Sequence, residues 1–277
     1  MNDGTTTVAP VSMPLIPALD DDHLTRLLMA LALFLVASFI VFIPAWLMDP
    51  RILDSAAIWT KPQKFHVSLA LHFATLALLA QLLPRATRSG PVMLLFGYLS
   101  AIALIFEYGY VSFKAAEGER SHFNTETASE QIAYGLMGIG AVLLILVALV
   151  MAVQIWRKGD RSRRGLWLGS VIGLSTGFLL TLLLAGYMSS NGRYVGAPLS
   201  GGGATLPFFG WSREYGDLRP AHFFALHLMQ TVPLAGYIAD RLKWPAVPMV
   251  LGVTALQIAL ALALFFQARA GQPMLPL

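Results

Sequence analysis

Histidines and one carboxylate set among apolar residues are the groups in this chain with chemistry to offer. Glu107 stands alone in the run Leu-Ile-Phe-Glu107-Tyr-Gly-Tyr. His122 lies in Ser121-His122-Phe123-Asn124, between two apolar stretches. Gly216-Asp217-Leu-Arg219-Pro-Ala-His222 leads into a stretch carrying His227, and Lys61-Pro62-Gln63-Lys64-Phe65-His66 opens one carrying His72. Imidazole exchanges protons near neutrality, and imidazole with carboxylate is a ligand set for zinc or iron. Glu107 and His227 are therefore the expected catalytic pair, and Glu107, His122 and His227 the expected ligands of a divalent metal. Such an ion would activate water or polarise a carbonyl of a lipid-like or small hydrophobic substrate.

The expected binding residues are His122, Asn124, Arg193, Asp217, Arg219 and His222. Arg193 and Arg219 have guanidinium geometry suited to phosphate or carboxylate, with an Asp217–Arg219 structural pair as the competing reading. Asn124 and His122 read equally as a loop ordered at a helix start. A second class is a b-type haem held by His72 and His227, which needs no Cys. A third is a transporter, a proton-coupled relay through Glu107 and His227, or an assembly factor without catalysis. His222 and His227 are five residues apart, which turns a regular helix so that their side chains diverge by roughly 140°. They are not expected to share one ion. Gln230 and Thr231 fall near the His227 face and are expected to orient its ring.

The elements that position these groups must be membrane helices. Hydrophobic residues make up 56% and charged residues 12% of the chain, where soluble domains carry about a quarter charged. Several apolar runs approach the ~20 residues that cross a bilayer, and only helices satisfy the backbone over such runs. The expected fold is all-α, one polytopic bundle of seven helices at about 24–48, 65–84, 91–113, 128–156, 166–189, 220–239 and 246–268. Residues 1–23 form a polar N-terminal tail and 269–277 a short C-terminal one. Asp20, Asp21 and Asp22 stand where a signal peptide would be basic, so the first span is expected to be retained.

Local signals mark some ends. Thr127-Ala-Ser-Glu130 reads as a capping box, and Thr60-Lys-Pro-Gln63 has the same form. Pro44 and Pro233 fall inside spans and are expected to kink them. Glu117, Glu119 and Arg120 read as a solvated charge run. Gly165, Gly169, Gly173 and Gly177 recur at every fourth position, a face that lets a neighbouring helix approach closely, either in the same chain or in another subunit by self-association.

Connectivity puts the three polar motifs on one side of the membrane. The basic connection 157–165 lies on the other, which places the N-terminus in the cytoplasm and the C-terminus in the periplasm of a bacterial inner membrane. Counting ~1.5 Å of rise per residue from the outer ends, Glu107 and His227 lie ~9 Å deep and His72 ~11 Å, with His66, His122 and His222 nearer the interface. The long connection 190–219 carries Gly201-Gly202-Gly203, Phe208, Phe209 and Trp211, and reads as a lid or binding loop with its aromatics at the interface. No cysteine is present, which excludes disulfides, thiolate metal sites and covalent haem. The basic cluster lacks aromatic interleaving, so nucleic acid is not an expected partner. Membrane lipid is.

The motifs Lys61-Pro62 with Lys64-Phe65, Ser121-His122-Phe123-Asn124, Gly210-Trp211-Ser212, and Gly216-Asp217-Leu218-Arg219 with His222-Phe223 and Leu226-His227 resemble those of a family of bacterial multi-pass membrane proteins without an assigned activity. The resemblance runs over residues 60 to 240. It implies that Glu107, His122, Asn124, Asp217, Arg219, His222 and His227 belong to a shared design. The family pattern has small or aromatic residues at the positions of His66 and His72, which sets these two apart.

Overall fold

The computed structural model describes residues 22–54, 56–124, 126–197 and 203–276. Expectations for residues 1–21 and for Gly201 and Gly202 lie outside these. The helices are α1 (His23–Val41), α2 (Ile43–Met48), α3 (Thr60–Ala80), α4 (Arg85–Arg88), α5 (Pro91–Glu117), α6 (Ala128–Lys158), α7 (Arg164–Asn191), α8 (Arg219–Leu226), α9 (Leu228–Leu242) and α10 (Ala246–Arg269). Two antiparallel ribbons join them: β1 (Ile52–Leu53) with β2 (Ala56–Ala57), and β3 (Tyr194–Val195) with β4 (Gly216–Asp217).

Among the described residues five stretches are long and apolar enough to cross a membrane: His23–Met48, Pro91–Glu117, Ala128–Lys158, Arg164–Asn191 and Ala246–Arg269. They are compatible with a multi-pass membrane protein. The expected second and sixth spans are not among the five. The second, α3, starts at Thr60 and takes Lys61, Gln63, Lys64 and His66 into its first two turns. The sixth is split into α8 and α9 at His227, which closes one helix and opens the next.

The prolines act unequally. A break at Phe42 separates α1 from α2, two residues before Pro44, whose missing N–H cannot continue the ladder of α1. Pro233 sits inside α9 without ending it, and the interruption at His227 lies six positions earlier. The Thr127 capping box forms: the Thr127 hydroxyl accepts from Glu130 N and the Glu130 carboxylate accepts from Thr127 N. The Thr60 box does not. Trp59 caps α3 without a side-chain bond, and the Thr60 hydroxyl instead accepts from Trp46 Nε1 at 3.0 Å.

The glycine face of α7 packs along α9 of the same chain. A methyl group added at Gly169 would stand 2.6 Å from the Val232 carbonyl oxygen, and one at Gly173 2.7 Å from that of Leu228. No side chain fits there, so this contact, and not a second subunit, occupies the stripe. At the foot of the same pair, Asp240 accepts from Gly165 N and Leu166 N, each at 2.8 Å, and closes the α7 N-terminus. Asp22 does likewise for α1, accepting from Thr25 N and pairing with Arg88 at 3.2 Å. Between these caps and the opposite end runs the apolar core, built around Leu28, Phe73, Leu104, Met151, Ile155 and Leu174.

The end of the bundle away from these caps gathers the three polar motifs. Arg51 donates to the Ala116 carbonyl at the end of α5, and Arg193 reaches Asp54 from the end of α7. Lys61 reaches His122 from α3, and Lys64 reaches the Phe209 carbonyl in the α7–α8 connection. The motifs thus share one end, as connectivity requires.

Candidate functional site

Among the described residues three cavities open at that end, and two of them adjoin. The inner one, about 400 Å³, is lined by Glu107, His72, His122, His222 and His227 with Thr181, Tyr134, Gln230 and apolar side chains from α3, α6 and α7. Glu107 reaches it from α5 because Gly140 on the facing α6 has no side chain; a methyl group there would stand 2.7 Å from Glu107 Oε1. Glu107 is 1% exposed, and its Oε1 has no protein hydrogen-bond partner. The same is true of Thr181 Oγ1 and His222 Nδ1. A buried polar atom without a partner costs about 1–3 kcal/mol, so the three on this cavity wall call for water or a ligand to satisfy them.

The remaining histidines are oriented by neighbours. His227 Nδ1 meets Gln230 Oε1 at 3.1 Å, and its ring lies edge-on to Phe223 at 4.2 Å. Gln230 thus does what its spacing predicts. Thr231 instead donates to the His227 carbonyl at 2.9 Å. His72 Nε2 lies 3.2 Å from the Leu144 carbonyl, which also accepts from Ser100. His66 is outside the cavity, bonded to Gln63 at 2.8 Å and packed against Phe42 and Tyr108.

His122 stands between the two cavities. Lys61 Nζ approaches its Nδ1 to 3.0 Å and Ser121 Oγ to 2.7 Å. An ammonium can only donate, so Nδ1 is the acceptor and the imidazole proton sits on Nε2. Burial, and after it the charge of Lys61, holds the His122 imidazole well below the usual value, so it is neutral.

This arrangement does not support the expected metal site. Among the described residues no three His, Asp or Glu side chains are placed to hold one ion. Glu107, His122 and His227 line one cavity without forming a coordination shell, and Lys61 occupies the cation's place beside His122. The bis-histidine haem site meets a related obstacle, since His72 Nε2 is turned to a backbone carbonyl.

The outer cavity, about 320 Å³, is a charged vestibule. Lys61, Lys64, Arg120, Arg193 and Arg219 line it, against Asp54 and Glu119. Asp54 takes Arg120 at 2.5 Å and Arg193 at 2.7 Å. Burial pushes its carboxyl up, but the two guanidiniums outweigh this and hold it below the usual carboxylate range. Arg219 is held by Asp217 at 2.6 Å, by the Gly210 carbonyl at 2.6 Å and by Tyr194 Oη at 2.9 Å. Asp217 also accepts from Ser212 N, so the Asp217–Arg219 pair fastens the described part of the 190–219 connection over the vestibule. The structural reading of that pair holds.

Two other expectations shift. Asn124 lines neither of the two adjoining cavities but a third opening with Glu119, Arg120, Glu126 and Glu130, and it donates to Glu130 at 2.7 Å at the start of α6. Trp211 is 7% exposed, packed on Phe209 and Phe223, so its ring is enclosed by protein and does not lie at an outer face. The charge run is partly paired, with Lys114 bridging Glu117 at 3.1 Å and Glu119 at 2.5 Å.

Sequence reasoning passed over Thr181, Lys61 and Lys64 as site residues. A signal for Thr181 exists. The four-residue step of the glycine stripe, continued past Gly177, lands on Thr181, Ala185 and Ser189, and all three line the inner cavity. Comparison with family models, with curated proteins and with solved structures gives no match. The roles of these residues therefore rest on their geometry.

Proposed function

We propose that this chain is a seven-pass inner-membrane protein whose inner cavity binds a small hydrophobic or lipid-like ligand and exchanges a proton with it through Glu107 and His227. The observation that carries this reading is the gathering of unpaired Glu107 Oε1, Thr181 Oγ1 and His222 Nδ1 on the wall of one largely apolar cavity. Binding pockets have this character: apolar walls that exclude water and a few convergent polar groups that fix orientation. A ligand hydroxyl or amine would satisfy the carboxyl oxygen, and imidazole beside it can accept or return a proton.

The seven-pass count is supported by length. At ~1.5 Å per residue, the 21 residues of α3 span ~32 Å, and α8 with α9 reach slightly further, against a hydrocarbon core of ~30 Å. Lys61, Lys64, Ser68 and His72 of α3 line the cavities, where ionisable residues in membranes belong. The basic connection between α6 and α7 supports a cytoplasmic N-terminus.

A photoreactive long-chain alcohol tests the reading. Saturable labelling of Tyr134, Met137 or Met188, lost in Gly138→Phe, is the expected result. Label spread over outward-facing side chains such as Ile102 and Leu256, with no saturable component, would refute it.

A further inference from the structure

We infer that the vestibule is a headgroup site for a phosphate-bearing amphiphile whose chain lies in the inner cavity. The inference rests on the proposed function and adds the substrate class. The two cavities adjoin, since Phe65, His122, Phe123, Met188 and His222 line both. One is apolar and the other cationic, so a single molecule that fills both must have an apolar tail and an anionic end.

The cations are not equivalent. Arg120 and Arg193 are matched to Asp54, and Arg219 to Asp217. Lys61 and Lys64 have no carboxylate within ion-pair distance among the described residues. Lys64 spends one of its three N–H donors on the Phe209 carbonyl, and Lys61 spends two on Ser121 and His122. The rest are directed by no protein acceptor within the described residues. Lys61 and Lys64 are one turn apart at the start of α3, on the vestibule wall. Two ammonium groups without a carboxylate partner, beside the paired arginines of the same wall, suit a compact multi-charged anion, and lysine is a common point-charge partner of phosphate. His122 then stands where the headgroup meets the chain, with its Nε2–H free to donate.

The test is equilibrium binding of dodecyl phosphate, dodecanol and inorganic phosphate to the detergent-purified full chain. The phosphate ester should bind more tightly than the alcohol by at least about tenfold, the worth of one charge-assisted contact. Lys64→Gln, and more fully Lys61→Met with Lys64→Gln, should erase that preference while dodecanol binding stays unchanged. Lys64→Arg should keep it. Equal binding of ester and alcohol in the wild type, or a preference untouched by the double substitution, overturns the headgroup site and leaves the inner cavity standing. Inorganic phosphate that displaces the ester at equal concentration would mean a free anion is the ligand, and overturns the amphiphile. Failure of both ester and alcohol to bind would remove the inner-cavity reading and this one together.

Discussion

One face of α7 does two opposite things. From Gly165 to Gly177 it lies so close to α9 that no side chain could be added, while from Thr181 to Ser189 the same face borders open volume. The change in side-chain size explains the change in structure. Where the stripe is glycine, α9 runs against the α7 backbone. Where it becomes Thr181 and Ala185 the partner cannot follow, the helix breaks at His227, and α8 and the side chains around it enclose a cavity. The two ends of the bundle differ in the same sense. Asp22 and Asp240 at one end are spent on helix N-termini, whereas Glu107 and His222 at the other keep unsatisfied atoms. The open end also spends carboxylates, Glu130 on the α6 cap and Asp54 and Asp217 on arginines, and differs in the unpaired atoms it keeps on the cavity wall.

Substitutions along α7 should break this contrast most visibly. Gly169→Leu must force α7 and α9 apart and is expected to cost about 3 kcal/mol or more, seen as a large fall in Tm or loss of folded protein. Gly186→Leu lines the open half, where an added methyl meets nothing within 4 Å. It should leave Tm unchanged or raise stability by up to about 1 kcal/mol through helix propensity. Equal losses at both positions would dissolve the distinction.

The caps come next. Asp240→Ala removes the acceptor for Gly165 N and Leu166 N and should cost about 1–2 kcal/mol in denaturant titration, with ligand binding retained. Glu107→Gln preserves shape at the open end and should change stability by less than about 0.5 kcal/mol, because no protein partner of Oε1 is lost. The smallest effect is acid sensitivity. His122 is neutral when folded, so below the unfolded value of about 6.5 the unfolded chain takes up a proton that the folded chain refuses. Stability should therefore fall from about pH 6.5 downward, and His122→Asn should flatten that part of the profile. Asp54 acts lower: its stabilisation is present above about 3.9 and is lost as pH falls through its depressed folded value.

Helical class, the capping box at Thr127 and the gathering of three motifs at one end were legible because they follow from composition, local pattern and chain parity. The role of the glycine stripe was legible, but its partner was not, since spacing shows that a helix can come close without saying which one. The break at His227 was hidden because the visible breaker, Pro233, is accommodated beside Gly173. The site's members were recognised by type. Their grouping was less legible: depth counting places Glu107 and His227 at one height with His122 nearer the interface, and it cannot see Lys61 arriving at His122 from the start of another helix. Asn124 was indistinguishable in sequence from a binding residue because a helix-start loop and a binding loop draw on the same side chains.

The central claim is that the open half of α7 borders a ligand cavity. Equilibrium binding of radiolabelled dodecanol to the wild type and to Gly186→Leu tests it most directly. Saturable one-site binding in the wild type, abolished in Gly186→Leu with an unchanged or higher Tm, is the predicted result. Non-saturable uptake, the same in both proteins, would contradict it.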